Sequence, residues 1–197
     1  MMRLASLLLA GLLAACGTTQ SPMAYAPTVP VSATAARPLV AVVQPVANQR
    51  RAGSDDPRWI GTIRGGYGNP VKTLEADRPV DQVVAGAFAD ALAARGLQAG
   101  TGAGRYALAI TIYQFDANQY VRREATADFS IRVTERATGR EVWTDRTKAY
   151  NVDGSILSLS TGVFASVDDL KRVALRSMSE AVDTLLDKPG FRAAIRG

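Results

Sequence analysis

TADFSIRVT (residues 126–134), continued by ERATGR (135–140) and EVWTDRTKAY (141–150), is the stretch whose reading decides the fold. Ala127, Phe129, Ile131 and Val133 alternate with Asp128, Ser130 and Arg132. A period of two belongs to a strand with one face on a core and the other in water. The run Ala137–Arg140 is then a tight hairpin connection, with Gly139 at the place that needs positive φ. The partner strand is predicted from Glu141 to Tyr150. On the N-terminal side, Tyr106, Leu108, Ile110 and Ile112 share one face of a further strand, Tyr106–Tyr113. The three form an antiparallel meander.

Outward from this meander the period changes. Val80, Val83, Val84, Ala87, Phe88, Ala91 and Leu92 recur at three- and four-residue spacing, which predicts a helix over 79–95 ended by Gly96. Leu170, Val173, Ala174, Ser177, Met178, Ala181, Val182 and Leu185 make a second stripe. That helix is expected to start at Ser166, whose hydroxyl can cap the N–H of Asp169, and to stop at Lys188-Pro189-Gly190. Leu39–Val43 and Trp59–Ile63 read as short strands, whereas Gly65, Gly66, Gly68 and Pro70 are expected to interrupt regular structure. Strands grouped with helices predict an α+β, two-layer sandwich: a largely antiparallel sheet with two main helices on one face.

The N-terminus has a different character. Arg3, the apolar run Leu4–Leu13 and small residues up to Cys16 have the layout of a secretory signal, too short to span a bilayer. Leu13-Ala14-Ala15-Cys16 resembles a bacterial lipobox, and that resemblance implies cleavage before Cys16 and acylation of it. Two or more acyl chains make anchoring stable. Gly17, where the inner-membrane retention rule has Asp, favours the inner leaflet of the outer membrane. Residues 17–37, rich in Thr, Ser, Pro and Ala, are expected to be a flexible tether reaching about 25 Å. The chain thus divides into a signal peptide (1–15), a lipidated cysteine with its tether (16–37) and a periplasmic domain (38–197).

Composition narrows the chemistry. The 197 residues include one cysteine and no histidine, with a net charge of +5. The commonest general base and metal ligand is therefore missing, as is any disulfide. Basic residues alternate with acids, which argues against a nucleic-acid partner. Gly100–Gly104 follows a helix and opens a strand, the reverse of a phosphate-binding loop. The Ile63–Gly68 run lacks the lysine of a nucleotide loop. Asp55, Asp56 and Asp153 do not make a calcium pattern. The serines from Ser155 to Ser160 lack a nucleophile elbow and a histidine to activate them. Tyr113, Phe115 and Tyr120 read as sheet packing rather than a stacking platform. No catalytic, metal or cofactor residue is expected.

Ala94-Arg95-Gly96-Leu97, Leu108-Ala109-Ile110, Ala127-Asp128-Phe129 and above all Tyr150-Asn151-Val152-Asp153-Gly154 resemble, in order and spacing, the YajG-type lipoproteins of Gram-negative bacteria. The resemblance covers residues 38–195. It implies a lipid-anchored periplasmic α+β domain without an established activity. The expected role is non-enzymatic: binding an envelope protein or cell-wall component, with the membrane held through Cys16. Membership of a secretion or transport assembly is the alternative, and an envelope hydrolase a more distant one. Tyr150, Asn151, Asp153, Leu157 and Leu159 are the expected partner contacts, because apolar residues on a loop either tuck under the sheet or form a contact patch.

Overall fold

The computed structural model describes residues 17–33, 39–43, 45–53, 55–154 and 166–196. Its centre is the meander: β6 (Tyr106–Gln119), β7 (Arg123–Glu135) and β8 (Glu141–Asp153), paired antiparallel in sequence. Gly139 takes φ 70° in the β7–β8 turn, as expected.

β6 continues beyond the expected Tyr113, and a bulge explains why the period hides it. Ile112 pairs with Phe129 and Gln114 with Asp128, so one extra residue is accommodated at Tyr113. Inward-facing residues are even-numbered up to Ile112 and odd-numbered from Phe115 through Ala117 to Gln119. Both halves thus face the same core although the sequence changes phase.

The other edge of β6 carries three short strands in succession: β2 (Val40–Val42), β3 (Ala47–Asn48) and β4 (Trp59–Arg64), all parallel to it. β4 then turns through residues 65–69 into β5 (Pro70–Ala76), where Gly65 N–H donates to the Asn69 carbonyl at 2.8 Å. The glycines expected to break regular structure therefore form a hairpin turn, with Pro70 at the first position of a strand, where its missing N–H costs least. The complete sheet has 8 strands in the order β1-β5-β4-β6-β7-β8, with β2 and β3 also on β6. It is mixed. The expected antiparallel pairing holds for the meander and for β4 with β5, and parallel pairs join β2, β3 and β4 to β6 and β1 to β5.

The stretch expected to be a free tether needs a larger correction. Gly17–Ser21 is strand β1, parallel to β5 from Gly17 opposite Lys72 to Ser21 opposite Ala76. Met23 follows it into the core with 2% of its surface exposed. A low average apolar content conceals two anchoring residues, Met23 and Tyr25, and a strand needs only a free sheet edge to pair with.

α1 (Val80–Ala94) and α2 (Val167–Asp187) cover one face of the sheet, and the short α3 (Pro189–Ala194) follows α2. Ser166 Oγ accepts from Asp169 N–H at 3.4 Å, the expected cap. Gly96 has φ 69°, and Leu97 N–H returns to the Leu92 carbonyl at 2.8 Å. The two stripes meet the inward residues of β6 and β7 in one core. No helix among the described residues is long and apolar enough to cross a membrane.

The opposite face is not simply wet. Asp128, expected in water, is buried because Arg146 of β8 lies across the sheet and donates to it twice, at 2.7 and 2.8 Å. The same guanidinium stacks on the Tyr113 ring, 3.7 Å from its centroid.

Candidate functional site

Among the described residues, buried charge is concentrated where the N-terminal segment crosses the two helices. Arg95, at the end of α1, donates from Nε and Nη2 to the two carboxylate oxygens of Asp187 at 3.1 and 2.7 Å. Nη2 also meets Asp183 at 3.0 Å, and Nη1 meets the Ala91 carbonyl at 3.1 Å. The segment after β1 completes the arrangement. Tyr25 Oη donates to Asp183 at 2.5 Å, and the Thr28 N–H and hydroxyl donate to the other Asp183 oxygen at 2.8 and 2.7 Å. Asp183 and Arg95 are almost wholly enclosed, and every acceptor of Asp183 is used. A buried charge needs this degree of pairing to exist at all. The arrangement is a latch that fixes residues 25–28 onto α1 and α2.

Its titration follows from these contacts. Burial, then the hydrogen bond to Asp183, pushes the Tyr25 hydroxyl up from 10.0 to about 12. A raised folded value means the bond contributes fully below pH 10 and is lost as pH rises through 12. Ultraviolet difference titration of the chain against Tyr25→Phe should show one tyrosine ionising about two pH units later than a free phenol. Ionisation of that tyrosine at the free-phenol value would mean the latch is open. For Asp187, burial works upward, but the bonds from Arg95 and Arg192 outweigh it and hold the carboxyl below its usual range.

Beside the latch is a groove of about 460 Å³, lined by Pro30, Val31, Leu39, Leu97, Leu186 and Ile195 together with Arg192 and Arg196. Arg192 is tied to Asp187 at 2.6 Å. The groove joins apolar walls to paired charges, a character suited to holding a chain segment or small amphiphile.

The three expected partner contacts among the described residues, Tyr150, Asn151 and Asp153, lie on β8 and do not share one face. Tyr150 is exposed on the outer face of β8. Asn151 points the other way, donating from Nδ2 to Ser177 Oγ at 3.2 Å and to Glu180 at 2.8 Å, and so ties the edge strand to α2. Asp153 lies 3.8 Å from Arg123, which also reaches Asp169 at 2.9 Å. Asn151 and Asp153 therefore fasten the strand end rather than display it. Leu157 and Leu159, like Cys16, lie outside the described residues. Phe115 is in the core, Tyr113 lies under Arg146 and Tyr120 is at a turn, so these three aromatics share no platform. No cluster of three or more potential metal ligands occurs among the described residues.

The strand ends give the second feature. Gly17 opens β1 opposite Lys72, beside the residue 65–69 turn. β4 ends against Gln119, and the Tyr120 hydroxyl donates to the Gly66 carbonyl at 3.0 Å, joining that turn to the β6–β7 turn. Arg123 faces Asp153 at the end of β8. One end of the sheet thus gathers the start of the chain's first strand, two turns and the end of its last strand.

No protein-family profile matches the chain, and no curated protein matches it in sequence. Solved structures do. Protein XCC0632 from Xanthomonas campestris, of the DUF330 family, is 18% identical over 83% of this chain and 91% of its own, with a TM-score of 0.56. PelC from Paraburkholderia phytofirmans, solved as a dodecamer, is 17% identical over 81% of this chain and 96% of its own, with a TM-score of 0.44. A candidate lipoprotein from Caulobacter crescentus is 19% identical over 58% of this chain and 80% of its own, with a TM-score of 0.41. The last two are looser likenesses; the first shows that this chain has the α+β fold of the DUF330 protein.

Proposed function

We propose that the chain is a bacterial envelope lipoprotein, anchored through acyl groups on Cys16, with a non-enzymatic binding or structural role. The observation that carries this reading is the lipobox-like Leu13-Ala14-Ala15-Cys16 directly followed by Gly17, the first residue of β1. The folded domain begins where the anchor would end. The YajG-type pattern and Gly17 at the sorting position refine the proposal to the inner leaflet of the outer membrane, with the domain facing the periplasm. Acids and bases of the latch are spent on one another, which suits holding rather than reacting.

Cys16→Ser is the direct test. The variant should accumulate as an unprocessed or soluble form, while the parent chain stays with membranes after a salt wash. A serine variant that remains fully membrane-bound would remove the main support for an acyl anchor, since three buried chains at about 0.8 kcal/mol per CH₂ are what the reading asks to hold it.

A further inference from the structure

The end of the sheet that starts with Gly17 carries most of the large apolar side chains exposed among the described residues. All but two of the large apolar side chains exposed among the described residues lie there: Tyr67, Tyr120, Val121, Tyr150 and Val152. Tyr67 sits fully exposed at the tip of the β4–β5 turn, and Tyr120 and Val121 form the β6–β7 turn beside it. Scattered apolar residues on a surface need no explanation, but a cluster at one end does. Two turns joined through Tyr120 and Gly66 present tyrosine and valine together, and the arginines among them are occupied: Arg122, in the same turn, with Glu124, and Arg123 with Asp169. Tyrosine rings with an apolar body and a polar tip partition to the boundary between lipid headgroups and acyl chains.

We infer that this end of the domain is a lipid-contacting face, with Tyr67, Tyr120 and Val121 seated in the headgroup layer of the membrane that holds Cys16. The inference rests on the acyl-anchor reading and deepens it. Since β1 begins at Gly17, with no intervening tether, an anchor on Cys16 brings this end of the sheet against the bilayer whatever else the domain does. The surface next to the anchor and the surface that presents tyrosine and valine are the same surface. Such contacts reach about 5–10 Å into the headgroup region, the depth of a turn rather than of a strand. β7 runs about 40 Å from this end to the Arg136–Arg140 turn, so the groove beside Arg95, at the C-terminal ends of α1 and α2, lies at the other end of the domain.

The test uses the full lipidated protein in vesicles of phosphatidylethanolamine and phosphatidylglycerol. Acylation blocks the thiol of Cys16, the chain's one cysteine, so an added cysteine is the single labelling site. Tyr67→Cys, Val121→Cys and, at the far turn, Ala137→Cys are each labelled with an environment-sensitive fluorophore. With spin-labelled phospholipid present, the Tyr67 and Val121 positions should lose most of their emission and the Ala137 position should keep it. Two separate turns keep the result readable if one variant folds poorly. Vesicle flotation is scored separately: protein that does not float overturns the acyl anchor, and this inference with it. Protein that floats with all three labels equally unquenched overturns the lipid-contacting face alone. Labels that stay accessible in vesicles but become protected in native envelopes would assign the same face to a protein partner instead, and also overturn it.

Discussion

Phe88→Ala should destabilise the domain by about 3–5 kcal/mol. Phe88 is fully buried on α1, and its ring meets that of Phe129 edge-to-face with centroids 6.2 Å apart. Phe129 in turn meets Phe115 at 6.0 Å. The three rings connect the first helix, the middle strand of the meander and the half of β6 beyond its bulge, so truncation at Phe88 opens a cavity that no single neighbour can fill. Aromatic edge-to-face contact adds about 0.5–1.5 kcal/mol beyond area burial. Thermal or urea unfolding of the processed chain measures the loss. Leu185→Ala, from the fully buried stripe of α2, should cost about 2–5 kcal/mol. Wild-type stability in both variants would mean that the helix stripes do not face the sheet.

The stripe containing Phe88 is legible in the sequence because a helix repeats its apolar positions over several turns. The same holds for α2, its Ser166 cap and the alternation from Ala127 to Val133. What is not legible has a local physical cause in each case. The bulge at Tyr113 changes the phase of β6, so Phe115 and Ala117 look misplaced if the strand is taken as regular. β5 buries only Leu74 and Ala76, follows a glycine-rich turn and lies between β4 and the edge strand β1, so it has almost no period to read. Parallel pairing of β2, β3 and β4 with β6 joins residues far apart in sequence, and alternation does not encode direction. Asn151 was legible as a polar residue leaving a strand, but its partners Ser177 and Glu180 are on a helix more than twenty positions away. The latch is hidden for the same reason. Tyr25, Arg95, Asp183 and Asp187 each look like ordinary surface residues until three segments converge.

Arg95→Ala should therefore have an effect comparable to a core truncation although it removes a cation. Arg95 and Asp183 are both nearly sealed from solvent, and deleting one partner of a buried pair leaves the other charge uncompensated, at about 3–5 kcal/mol. The loss should be pH-dependent in a defined direction. The Asp187 carboxyl is held low in the folded chain despite its burial, by the bonds from Arg95 and then Arg192. A depressed folded value contributes stability that is present above the ordinary carboxylate range and lost as pH falls through the folded value. The gap between parent and Arg95→Ala should accordingly be widest near neutral pH and narrow on acidification, where protonation of Asp187 removes the charge that Arg95 would pair. Replacing Asp183 by Ala in the same chain should cost less than the sum of the two single changes, because they share one interaction. Limited proteolysis adds a structural readout: with Arg95 gone, Asp183, the acceptor that Tyr25 and Thr28 share, is no longer held in place, and cleavage within residues 22–33 should appear before global unfolding. An Arg95→Ala chain whose stability gap is constant with pH and whose N-terminal segment stays protected would show that β1 and Met23 alone hold that segment, and that the buried charges are not its latch.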